Sequence, residues 1–170
     1  MAAESKTIQK VEFFSDDKIV GSDSTMPFSF SWTTNKVSDG RHSITAKAYY
    51  DDDSIEASNA VGILIDNTAP SSSVAFPAYD FSVSVSSSLK ITAQAQDNEN
   101  GSGLKEVQII IDGVKKIAIS SAPFEFSWLS PSSTGTHYIK VKAIDIAGNS
   151  KDSFIIRIYV FILPSFKRKI

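Results

Sequence analysis

The six residues Pro27-Phe28-Ser29-Phe30-Ser31-Trp32 recur later in the chain as Pro123-Phe124-Glu125-Phe126-Ser127-Trp128, and their surroundings recur with them. Val11 matches Val107, Gly40-Arg41-His42 matches Gly135-Thr136-His137, and Ala46-Lys47-Ala48 matches Val141-Lys142-Ala143. The offset is 96 residues at the tryptophans and 95 at the histidines, so one single-residue gap aligns the halves. A period of about 95 residues is too long for a solenoid repeat and suits two copies of a small domain. Duplicated domains extend a chain or multiply a binding surface, and neither task needs an active site.

A chain of 170 residues with 42% hydrophobic content is large enough for two packed cores. Its net charge of −2 supplies no basic field for nucleic acid or anionic lipid, so nucleic acid is not an expected partner. There is no cysteine, which excludes disulfides, thiolate zinc sites and a cysteine nucleophile. Met1-Ala2-Ala3-Glu4-Ser5-Lys6 has no apolar stretch of the kind a signal peptide needs. An exported protein would carry its signal ahead of these residues or have lost it. The longest apolar run, Ile158 to Leu163, is followed by Pro164. It is too short for a bilayer core, and membrane insertion is not expected.

The dominant periodicity is two. Leu89, Ile91, Ala93 and Ala95 alternate with polar residues, as do Val107, Ile109 and Ile111, then Ile139, Val141 and Ala143, then Phe154, Ile156, Ile158 and Val160. Each run predicts a strand with one buried face. Asn100-Gly101-Ser102-Gly103, Asp112-Gly113 and Ala147-Gly148-Asn149 supply turns between them, and Asp112-Gly113 suits a two-residue hairpin. No stretch carries a helical apolar period. The pattern predicts an all-β fold of two tandem immunoglobulin-like Greek-key β-sandwiches.

The copies are unequal. Residues 71–104 precede Lys105 in the second copy, whereas only eight residues precede the matching Gln9 in the first. The first copy is therefore expected to lack its opening strands, as a piece of a longer protein cut inside a domain would. The expected organisation is a partial sandwich at 1–66, a linker at 67–73, a complete sandwich at 74–161 and a tail at 162–170. Phe28, Phe30 and Trp32 share one face of a predicted strand, as do Phe124, Phe126 and Trp128. Their area suits a core better than an exposed sugar-stacking platform, so Trp32 and Trp128 are expected inside.

These residues resemble the bacterial immunoglobulin-like domains found in tandem in secreted and cell-surface proteins. The likeness rests on Val107 to Gly113, Pro123 to Trp128, Gly135-Thr136-His137 and Ala143-Ile144-Asp145-Ile146-Ala147-Gly148-Asn149, with the first-copy counterparts. Asp66-Asn67-Thr68-Ala69-Pro70 is similar to the junctions of such arrays. The first copy departs after Tyr49, where Tyr50-Asp51-Asp52-Asp53-Ser54 replaces the Asp-x-Ala-Gly-Asn turn. The resemblance implies a noncatalytic structural or adhesive module at a cell surface or outside the cell. Such a module would be a spacer or interaction domain in a larger protein, with a surface protein or glycan as partner. The alternative is an accessory region, carbohydrate-binding or spacer, of a secreted hydrolase.

The only histidines, His42 and His137, occupy matching places, which suits a structural duty repeated in both copies more than catalysis. No Gly-x-Ser-x-Gly elbow is present, and no carboxylate pair stands out for glycoside hydrolysis. No catalytic or cofactor-binding residue is therefore assigned. Calcium is the one cofactor the residue types suggest. Asp66, Asn67 and Asp97 are the candidate ligands, being hard oxygen donors expected near one end of the second copy, alongside Asp145 and Asn149. The competing reading is that Asp, Asn and Gly are simply making turns.

Overall fold

The computed structural model describes residues 6–163. The chain start (Met1–Ser5) and the expected tail from Pro164 onward lie outside the described residues. The described chain forms two compact units, divided between Asn67 and Thr68. No helix among the described residues is long and apolar enough to cross a membrane.

The second unit is a two-sheet sandwich. Its strands are β6 (Ser71–Phe76), β7 (Phe81–Ser84), β8 (Ser88–Gln96), β9 (Leu104–Ile111), β10 (Val114–Ile119), β11 (Phe124–Leu129), β12 (Gly135–Asp145), β13 (Ser150–Asp152) and β14 (Ile156–Phe161). One sheet runs β10-β9-β12-β14-β7, with β13 also on β12, and the other runs β11-β8-β6. All pairings are antiparallel except β7 on β14, which is parallel.

Alternation decides which side chains meet. Ile109, Ile111, Ile139, Val141 and Ile158 from the larger sheet face Leu89, Ile91, Phe124 and Trp128 from the smaller one, and all belong to one buried cluster. Full burial of each such aliphatic side chain is worth about 1.5–3 kcal/mol, so this cluster is the main source of stability. The Asp112-Gly113 hairpin forms as the dipeptide predicts, with φ of 51° and 77°.

The first unit has the matching half of this plan. It contains β1 (Ile8–Ser15), β2 (Lys18–Asp23), β3 (Gly40–Tyr50), β4 (Ile55–Ala57) and β5 (Val61–Ile65). These form one five-stranded sheet, β2-β1-β3 with β4 and β5 both paired to β3. Its hairpin turn is Asp16-Asp17, at φ 47° and 64°. Counterparts of β6, β7 and β8 are absent among the described residues, as the short opening of this copy predicts. The consequence shows in burial. Ile139, Val141 and Ala143 are fully buried in the second unit, whereas their matches Ile44, Ala46 and Ala48 are only half-buried.

Three expectations need correction here. Phe28 to Trp32 form no strand, because β11 draws its ladder from β8 and the first unit has no β8 to offer. Instead Phe30 stacks on Phe13 with ring centroids 6.1 Å apart. It lies against Gly21, where an added Cβ would come within 2.3 Å of the ring. Phe30 remains 41% exposed, and Trp32 is half-buried rather than in a core. Phe154 is the second correction, being 96% exposed instead of facing inward. The final strand breaks between β13 and β14, and Ser153 spends its side chain there, accepting the Val141 N–H and donating to the Phe154 carbonyl. Ser71 to Ser73, grouped with the linker on composition, are the first half of β6 and pair with Gln96 to Gln94.

Trp128→Ala should destabilise the second unit by about 3–5 kcal/mol, whereas Trp32→Ala should cost the first unit about 1 kcal/mol. Thermal melts of the full chain should show the tryptophan at 128 moving one transition strongly and the tryptophan at 32 moving the other slightly. Equal shifts would mean the first unit buries its tryptophan after all.

Candidate functional site

The two histidines have the same partner in the two units. His42 Nδ1 lies 2.5 Å from Asp16 Oδ2, and His137 Nδ1 lies 2.7 Å from Asp112 Oδ2. The other oxygen of each aspartate accepts a backbone N–H from the residue after the histidine, Ser43 at 2.8 Å and Tyr138 at 2.9 Å. Each aspartate is the first turn residue of a hairpin held at positive φ, a conformation Asp tolerates better than most residues. The pair therefore clamps the β1–β2 turn to β3 in one unit and the β9–β10 turn to β12 in the other. In the second unit the imidazole also meets the edge of Trp128, with centroids 5.2 Å apart. Each histidine thus ties a hairpin turn to its neighbouring strand.

His42 has a further contact, with Nε2 2.9 Å from the Ser38 carbonyl. Both ring nitrogens thus face acceptors, which only the doubly protonated ring can satisfy. The Ser38 carbonyl and then Asp16 raise the His42 pKa above its ordinary value of about 6.5. The Ser43 amide, followed by His42, lowers that of Asp16.

The predicted metal residues fall in different units. Asp66 and Asn67 end the first unit and Asp97 belongs to the second. Asn67 donates its side-chain amide to the carbonyls of Thr34 and Val37, at 2.9 and 3.0 Å, and its backbone N–H to Asp39 Oδ1 at 2.7 Å. Within its own unit it therefore ties down the loop ahead of β3. Asp51 and Asp52, at the β3–β4 turn, are bonded to Thr7, Ser54 and Lys6.

Asp97 and Asp145 come together in the second unit. Asp97 follows β8 and Asp145 ends β12, and a carboxylate oxygen of one lies within 4.8 Å of one of the other. Asp145 is fully buried. Its Oδ1 accepts the Gly148 and Asn149 N–H groups at 2.6 and 2.7 Å, which shapes the Asp-x-Ala-Gly-Asn turn. Asp97 Oδ2 accepts the Gly103 N–H at 2.7 Å. Gly101 lets that loop close, since a Cβ there would stand 2.5 Å from Asp97 Oδ2. The sequence named Asp145 and Asn149 as donors but gave no means of telling a turn-forming carboxylate from one with an oxygen to spare.

Two β-sheets of alternating strands, with a parallel pairing of an early strand on the last, define an immunoglobulin-like module. A family model described as a bacterial Ig domain matches residues 1–46 and 70–141, and the chain belongs to that family. Among solved structures it is similar to the Clostridium thermocellum CbhA fibronectin(III)-like modules at 24% identity and a TM-score of 0.52, over 95% of this chain and 82% of that one. It also matches a central fibronectin-III array of RIM-binding protein (11% identity, TM-score 0.36, 96% and 62% covered) and the D00-D0 domain of intimin (11%, 0.30, 71% and 65%). No curated protein sequence matches the chain.

The clamp carries a pH dependence. A raised His42 pKa contributes stability that is whole below about pH 6.5 and is lost as pH rises through the folded value. A lowered Asp16 pKa contributes stability present above its unfolded value of about 3.9 and lost as pH falls through the folded value. The first unit should therefore melt at a higher temperature at pH 5.5 than at pH 9. His42→Gln should shrink that difference, and a difference unchanged in the variant would count against the clamp.

Proposed function

We propose that this chain is a noncatalytic structural module of a larger secreted or cell-surface protein, acting as a spacer or as an interaction domain. One observation carries the reading: both histidines are occupied in matching hairpin clamps, each turned toward its own unit's turn. The residue type best suited to acid–base work at neutral pH is thus committed to holding the fold. Membership of a bacterial Ig domain family supports the same reading. A panel of glycosidic, ester and peptide substrates should show no turnover by the full chain. Turnover that disappears in a His42→Gln, His137→Gln double variant still folded by circular dichroism would defeat this proposal.

A second reading, an accessory carbohydrate-binding region, has its own observation. A groove of about 630 Å³ lies along β6, β8 and β11 of the second unit. Exposed Ser71, Ser73, Gln94, Gln96 and Glu125 line it and offer hydroxyl, amide and carboxylate groups to a sugar. No exposed aromatic ring is among the lining residues, so the groove offers no aromatic face on which a sugar ring could stack. Affinity electrophoresis through soluble polysaccharides separates the two readings. The spacer predicts unretarded migration, and retardation relieved by Gln94→Ala would favour the accessory role.

A further inference from the structure

The geometry points to a binding site for a hard divalent cation, of the calcium class, held by Asp97 and Asp145 in the second unit. The inference stands on that unit's own geometry and is independent of the spacer reading.

Each carboxylate has one oxygen tied to backbone and one left over. Asp145 Oδ1 is bonded to Gly148 and Asn149, and Asp97 Oδ2 to Gly103. The remaining oxygens, Asp145 Oδ2 and Asp97 Oδ1, are buried and have no hydrogen-bond partner among the described residues. Asp145 has no solvent exposure at all, so water does not compensate its charge from outside. Buried polar atoms are nearly always paired, and a buried carboxylate oxygen without a donor is costly. The two carboxylates also approach within 4.8 Å, which adds mutual repulsion to that cost. A cation between them removes both penalties at once.

Donor type and spacing select the ion. The donors are oxygen, which excludes soft thiolate-seeking metals. Calcium binds oxygen at 2.3–2.6 Å, so two ligands on opposite sides of one ion are about 5 Å apart. A carboxylate oxygen of Asp97 lies within 4.8 Å of one of Asp145, no farther apart than that span. The two loops are also fastened together. Ile146 N–H donates to the Gly103 carbonyl and Ala147 N–H to Ser102 Oγ, both at 2.9 Å. Backbone carbonyls and water would complete the coordination number. The first unit holds Tyr50 where the second holds Asp145, so the site belongs to the second unit alone.

Calorimetric titration of the full chain with calcium chloride should show one site. Melts should show the transition of the second unit, identified by its sensitivity to Trp128→Ala, rising by about 5–10 °C in saturating calcium relative to chelator. The transition of the first unit should stay in place. Asp97→Asn and Asp145→Asn each keep the oxygen that accepts from the backbone, so both should fold, and both should lose the titration heat and the calcium-dependent shift. No heat with wild-type protein, retention of binding in both variants, or equal calcium shifts in the two transitions would overturn the site.

Discussion

Nearly everything in the second unit depends on one sheet covering another. Strand β8 supplies the cover: Leu89, Ile91 and Ala93 point inward from it, and its other edge gives β11 a ladder. That ladder seats Phe124 and Trp128 in the core, and Trp128 in turn supports the imidazole that clamps the Asp112 turn. In the first unit the same aromatic sequence has no such strand to join. It collapses onto Gly21 and Phe13, leaving its rings partly in water. Two nearly identical sequences thus take different conformations because a partner strand is present for only one of them.

That contrast marks how far the sequence could be read. Strands with strict alternation, such as β9 and β12, were legible because their burial is set by their own period of two. The Asp112-Gly113 turn was legible because the dipeptide itself selects the backbone angles. Phe28 to Trp32 were not, since a strand needs edge hydrogen bonds that lie outside its own residues. Phe154 misled for a related reason. Its alternation continues into β14, but the Ser153 hydroxyl takes the backbone bond that would have kept the strand running. The candidate site was half visible: Asp97 and Asp145 were both named as oxygen donors, but making a turn and leaving an oxygen without a hydrogen-bond partner use the same residue type. Only the position of each oxygen separates the two duties.

The histidine clamps show which polar features survive duplication. The turn residues differ, Asp-Asp in one unit and Asp-Gly in the other, and so do the second partners of the rings. The carboxylate-to-imidazole and carboxylate-to-amide bonds are the same in both. A tight two-residue turn exposes its backbone to water, and a carboxylate that ties it to the neighbouring strand stops the hairpin from fraying. In the first unit, where the core is incomplete, such polar ties hold a larger share of the structure together.

The parallel pairing of β7 with β14 has a mechanical meaning. Phe81 to Ser84 lie beside Ile158 to Phe161 in the same direction, and the Val85 N–H adds a bond to the Phe161 carbonyl. A pull on the two ends of the unit reaches β7 through β6, which precedes it, and drags β7 toward its start and β14 toward its finish. The tension then runs along the strands, and the bonds between them share the load instead of opening one at a time. Resistance of this kind is a rate, set by the barrier to forced unfolding. For this unit, lifetime under load is therefore a separate quantity from equilibrium stability.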